Sequence, residues 1–302
     1  MTRWWIPVLM VSATVAGCSS TPKPPTLADL VEREIENTEP AVELPRTRDK
    51  AIDAYRAFLL DAPSHSPLKA EATRRLADLG QERLDELEAR DQGAAATNQR
   101  ITRERQSINL YATLIERYPD NPRNAAALYQ LSRAYESVGQ RELSLQALNR
   151  LVAQYPTSER LDEVQFRRGE TLYVDQRYRE AEAAYRAVIA IGNRSSFYDQ
   201  ALYKGGWSLF KQGRYEEALD LYTAVLDRRV VGGEIPLAQL SQVERERVDD
   251  TLRVAALSFS YRQGAESVSR YFTQRGAQPY EHRIYRTLGD QYLEKARYSD
   301  SA

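Results

Sequence analysis

The sequence predicts an all-α fold made of helix pairs stacked in a row, and three observations lead there. First, Ala, Leu, Arg, Glu and Tyr dominate a chain of 302 residues that holds only 14 Gly and 13 Pro, a palette that favours helices over tight β-turns. Second, apolar residues recur at helical spacing, as in Leu128, Leu131 and Tyr135. Third, small residues return in step along the chain, which is the mark of a repeat array.

In chain order, the first element is an export signal. Arg3 is followed by an uncharged run from Trp4 to Gly17, too short for the roughly 20 apolar residues of a membrane span. The quartet Val15-Ala16-Gly17-Cys18 resembles the bacterial lipobox, in which a lipid is added to the cysteine and the signal is cut off before it. Residues 1–17 are therefore expected to be a lipoprotein signal peptide, with Cys18 lipidated. Ser19 stands where an inner-membrane retention signal carries Asp, so the resemblance implies the periplasmic face of the outer membrane. Residues 18–45 hold Thr21-Pro22-Lys23-Pro24-Pro25, Glu39-Pro40 and many acids, which reads as an extended tether with room for a short helix from Leu27 to Ile35.

From residue 46 to 302 the pattern is that of a solenoid. Ala51, Tyr55, Phe58 and Pro63 read as the second helix of an early pair, and Leu76, Leu79 and Gly80 as the first helix of the next. Its partner is expected from about Ile101 to Arg117, after a surface insertion at Asp91–Asn98. Three segments then align without gaps, at 125–161, 162–198 and 199–235. Leu128, Ser132, Gly139, Ser144, Leu148 and Leu151 become, 37 residues on, Gln165, Gly169, Gln176, Ala181, Tyr185 and Val188. A further 37 residues give Leu202, Gly206, Gly213, Ala218, Tyr222 and Val225. The small residues predict close approach of two antiparallel helices, and Pro119 and Pro156 close successive second helices.

These residues resemble the tetratricopeptide pattern, in which W-x2-L-G-x2-Y is followed by A-x3-F and then P. Tyr178-Arg179-Glu180-Ala181 and Tyr215-Glu216-Glu217-Ala218 carry the likeness most clearly. The family's period is about 34 residues, so the three extra ones are assigned to the turn between repeats. The resemblance implies a right-handed solenoid of helix pairs. In architecture it is similar to the lipoprotein of the outer-membrane β-barrel assembly complex and to the repeat protein associated with Tol-Pal.

Past the aligned trio, Arg228–Ser241 interrupts the register with Val230-Val231-Gly232-Gly233-Glu234-Ile235-Pro236. Helices resume at about Gln242 and again with Leu252, Ala256, Phe259 and Phe272. The last unit opens with Tyr285, Leu288, Gly289 and Tyr292 and runs out at Ala302 before a second helix is complete. Because solenoid ends carry a polar cap, a truncated last repeat and a longer natural array are expected.

Little here points to chemistry. The formal net charge of -1 gives no excess to attract a phosphate backbone, so nucleic acid is not an expected partner. One cysteine and the isolated His65 and His282 lack metal-ligand spacing. Gly232-Gly233 lacks the rest of a phosphate-binding loop. No catalytic residue, metal or cofactor is expected. The candidate site is a groove: the family resemblance puts the fifth position of each first helix on the concave side, giving the row Tyr129, Phe166 and Tyr203. Tyr173, Trp207 and Phe210 lie further along the same helices. Such rings grip peptides well, or alternatively pack between repeats. The expected function is a membrane-anchored periplasmic scaffold that binds protein or peptide partners in an envelope process such as outer-membrane assembly, division, motility or secretion. The alternatives are peptidoglycan or carbohydrate binding, and the non-catalytic front part of a longer protein.

Overall fold

The apolar stripes and helix-forming residues fold into twelve α-helices among the described residues, with no strand. The computed structural model describes residues 44–63, 66–90, 94–231, 239–297 and 300. The helices are α1 (Leu44–Asp61), α2 (Pro67–Arg90), α3 (Ala94–Arg117), α4 (Asn124–Ser137), α5 (Arg141–Gln154) and α6 (Leu161–Val174). They continue with α7 (Tyr178–Ile191), α8 (Tyr198–Lys211), α9 (Tyr215–Leu226), α10 (Gln242–Ser260), α11 (Ala265–Arg275) and α12 (Glu281–Glu294). The chain divides into a unit of residues Met1–Thr47 and a unit of Arg48–Ala302. Of the first unit only the opening turn of α1 is described, so the signal peptide, Cys18, the tether and the Leu27–Ile35 helix lie outside the described residues, as does His65.

Within the second unit the helices stack in chain order. From α2 to α10 each packs on the next, which is the nearest-neighbour architecture of a solenoid. The pairs α4/α5, α6/α7 and α8/α9 fall on the three aligned segments. Their closeness has the cause the small residues announced. A Cβ on Gly169 would lie 2.6 Å from Cε1 of Tyr185, and one on Gly206 only 2.4 Å from Cε1 of Tyr222. Both tyrosines are fully buried, so each glycine is the slot into which a second-helix ring fits. Ala181 and Ala218 are fully buried one turn before those rings.

The turns inside the pairs share one geometry. In three of them the amide after the turn residue bonds back to the helix: Gln140 to Tyr135 O at 2.8 Å, Arg177 to Leu172 O at 2.9 Å and Arg214 to Leu209 O at 3.0 Å. That closure requires a left-handed residue before the donor. Gly139 (φ 76°) and Gly213 (φ 73°) supply it, and between them Gln176 takes φ 61° without glycine's freedom. The same turn follows α12, where Ala296 has φ 54° and the Arg297 amide bonds to Tyr292 O at 2.8 Å.

Two elements depart from the sequence reading, while the helix after the interruption resumes at Gln242 as expected. The expected insertion at 91–98 is mostly absorbed into α3, which begins at Ala94. The Ala94-Ala95-Ala96 run consists of the strongest helix former, and it extends the helix beyond the expected start at Ile101. The interruption after α9 opens with a wide helical turn at Asp227–Val231 before the undescribed residues 232–238. Ser241 then starts α10 with a reciprocal cap: its Oγ accepts the Glu244 amide at 3.3 Å, and the Glu244 carboxylate accepts the Ser241 amide at 3.1 Å. The second departure is that α10 packs more closely on α12 than on α11. Phe259, Tyr271, Phe272 and Tyr280 fill the space around α11 with ring contacts of 5.3 to 6.4 Å. Aromatic bulk replaces the glycine slot there and spreads the pair.

Candidate functional site

The row Tyr129, Phe166 and Tyr203 holds one register on α4, α6 and α8, and its first duty is to join repeats. The Tyr129 hydroxyl donates to the carboxylate of Glu163 on α6, and the guanidiniums of Arg160 and Arg167 lie 5.6 and 5.7 Å from its ring centre. Tyr129 is buried, with 5% of its surface exposed. Tyr203 repeats the arrangement by donating to Asp250 on α10, and burial followed by that bond pushes its phenol up to about 12. Between them Phe166 has no hydroxyl, and the residue 37 after Glu163 is Gln200. Phe166 stacks instead on Phe197 at 5.0 Å and tilts against Tyr185 at 5.8 Å. Tyrosine therefore comes with an acid on the next first helix, and phenylalanine with an amide.

The other three predicted residues sit nearer the pair turns and are half-buried. Tyr173 meets Tyr178 edge-on at 5.3 Å, and Phe210 meets Tyr215 in the same way at 5.2 Å. Trp207 packs edge-on to Phe210 at 5.4 Å. Phe210 also meets Tyr261 of the α10 end at 5.4 Å, and Tyr261 stacks on Tyr215 at 5.2 Å. Trp207, Phe210, Tyr215 and Tyr261 thus form one continuous cluster, and 57% of Tyr261 faces solvent. Tyr215 was not among the predicted site residues, although its pairing with Phe210 repeats Tyr178 with Tyr173. Tyr261 could not be found that way, because its place depends on how α10 returns after the interruption.

Beside the Tyr203 brace lies a cavity of about 480 Å³ between α6, α8, α9 and α10, lined by Phe166, Gln200, Tyr203, Val243, Glu246 and Asp250. Two ion pairs lie beside it: Lys204 meets Glu170 at 2.9 Å, and Arg228 meets Asp199 at 2.8 Å. Glu182, buried on α7, is held by Arg186 at 2.8 Å and Arg214 at 2.6 Å, which ties the α7 and α9 ends together. Tyr185 donates its hydroxyl to Glu170. In the next repeat Trp207 stands in the place of Glu170, and the buried Tyr222 hydroxyl has no hydrogen-bond partner.

Among the described residues no group of three or more His, Cys, Asp or Glu side chains could hold a metal, and His282 is exposed on the first turn of α12. No described helix is long and apolar enough to cross a membrane.

No curated protein matches the chain. Among solved structures, it is similar to MamA 41-end from Desulfovibrio magneticus RS-1, at 12% identity over 70% of this chain and 96% of that one, with a TM-score of 0.43. It is also similar to the nearly identical TPR-like repeats of a Podosopora anserina putative kinesin light chain, at 14% identity over 76% and 98% of the two chains, with a TM-score of 0.46. Tetratricopeptide repeat models match residues 126–158, 166–230 and 203–242, the stretch of the chain that holds the pairs α4/α5, α6/α7 and α8/α9.

Proposed function

We propose that the chain is a lipid-tethered scaffold at the periplasmic face of the outer membrane, and that it binds protein partners of an envelope process without catalysing a reaction. The observation that carries the binding reading is the ring cluster of Trp207, Phe210, Tyr215 and Tyr261. These residues are held in place by edge-on and stacked contacts yet keep solvent-facing surface. Rigid rings of this kind bury large area at low entropic cost, which is how binding hot spots are built. The cavity beside Tyr203 offers room for a side chain of the same partner. Braces such as Tyr203 to Asp250 keep the repeats in register, so the face is formed before a partner arrives. The tether reading rests on Val15-Ala16-Gly17-Cys18.

Two comparisons test this. Pull-down from solubilised envelope with the intact chain and with Trp207→Ala/Tyr261→Ala should lose the same specific proteins in the variant, while circular dichroism stays unchanged. Unchanged capture by a folded variant would refute the face, and capture of purified cell-wall fragments in place of proteins would move the rings to sugar stacking. Cys18→Ala should move the protein from the membrane fraction to the soluble periplasm, and an unchanged membrane fraction would refute anchoring.

A further inference from the structure

At the other end of the described repeats, α1 and α2 leave an apolar cavity of about 530 Å³, lined by Ala51, Ala54, Tyr55 and Phe58 of α1 and by Leu68 and Ala72 of α2. Glu71, the charged residue of the lining, is paired with Arg74 at 2.6 Å. The spacing of the four α1 residues is that of Ala181, Ala184, Tyr185 and Val188 on α7. Those four are fully buried, and Tyr185 places its ring in the Gly169 slot of α6. On α1 the same positions stay uncovered: Phe58 is 37% exposed, Ala54 is exposed, and Ala51 and Tyr55 are half-buried. The cavity therefore continues the face along which α6 pairs with α7, and among the described residues no first helix lies over it.

The upstream sequence lacks the matching slot. In the regular pairs the central side chain of the second helix follows a small residue of the first by sixteen positions: Leu148 follows Ser132, Tyr185 follows Gly169, Tyr222 follows Gly206 and Phe272 follows Ala256. Sixteen positions before Tyr55 stands Glu39, with Pro40 after it. A carboxylate laid against a buried ring would lose its water, and proline breaks a helix interior. The chain thus carries the ring of a first pair without the residue that would receive it.

We propose that this groove seats an amphipathic helix of a partner protein, laid antiparallel on α1 as α6 is on α7. The helix sets a glycine, alanine or serine over Tyr55 and apolar residues one turn to either side, and so completes the first repeat in trans. The seat is separate from the ring cluster and does not depend on it.

Fluorescence anisotropy with a labelled peptide tests the assignment. The peptide is residues 198–211 of this chain, a first-helix sequence with Gly206 at the slot position. The full chain should bind it saturably. Gly206→Leu in the peptide should weaken binding at least about tenfold by filling the slot, and Phe58→Asp in the chain should do the same by placing a charge in the groove. Leu60→Asp, on the same helix but 85% exposed and outside the groove, should leave binding unchanged. No binding by the unaltered chain would overturn the proposal, as would equal binding of the two peptides or full binding by a folded Phe58→Asp chain. Sedimentation of the chain, alone and with phosphatidylglycerol vesicles, should show no association that depends on Phe58. Association lost in Phe58→Asp would assign the groove to a second copy or to a lipid surface, and would overturn the proposal as well.

Discussion

The hydroxyl of Tyr203 donates to the carboxylate of Asp250, and Tyr129 makes the same bond to Glu163 between α4 and α6. The two rungs show that first helices are joined by side-chain bonds as well as by apolar packing. A hydrogen bond to a charged group is worth about 1.5–3 kcal/mol. Tyr203→Phe should therefore lower the unfolding free energy by about 2 kcal/mol, and a double-mutant cycle with Asp250→Asn should show coupling above about 0.5 kcal/mol. Denaturant unfolding of the four proteins checks this, and additive losses would mean that the bond does not join the repeats.

The glycine slots make a sharper demand. Gly206→Ala puts a methyl group against a fully buried Tyr222 ring that has nowhere to turn, and the expected loss is about 2–3 kcal/mol. Gly169→Ala should behave alike. Gly139→Ala meets nothing within 4 Å and bears only the left-handed backbone strain, so a smaller loss of about 1 kcal/mol is expected. Thermal melting of the three variants ranks them, and a Gly139 variant as weak as the Gly206 variant would contradict the slot.

Among the described residues of the aligned trio, the turn at Gln176 is the one place where a side chain occupies the left-handed position. Gln176→Gly removes that strain but adds freedom to the unfolded chain, leaving a net gain of about 0.5–1 kcal/mol. A raised denaturation midpoint with unchanged slope is the expected reading. A fall would show that the glutamine side chain contributes more than its backbone costs.

Burial raises the phenols of Tyr111, Tyr185, Tyr222 and Tyr280 well above the ordinary range, and Tyr203 to about 12. Because the folded value exceeds the unfolded one near 10, their contribution to stability is complete below about pH 10 and is lost as pH rises beyond it. Tyrosinate absorbance should lag behind that of free tyrosine and then rise together with loss of helicity. A normal titration of all tyrosines in a chain that stays folded would show that these rings are not buried.

How far the sequence could be read follows from the range of each interaction. Gly169 and Gly206 were legible because a close helix crossing inside one repeat needs a small residue at a fixed spacing. The rows of rings were legible as positions but not as contacts. Asp250 lies 47 residues beyond Tyr203 and across the interruption, so no count of 37 leads to it. The start of α3 was misplaced because Asp91-Gln92-Gly93 read as a loop and hid the helix-forming alanines after it.

The binding face can be tested most directly by photo-crosslinking in intact cells. Benzoylphenylalanine would be placed at Trp207, in the ring cluster, and separately at Ala183, exposed on the second helix α7. The account predicts discrete protein adducts from position 207, lost on adding Tyr261→Ala, and few from position 183. Equal adducts from both positions, or adducts from 183 alone, would contradict it.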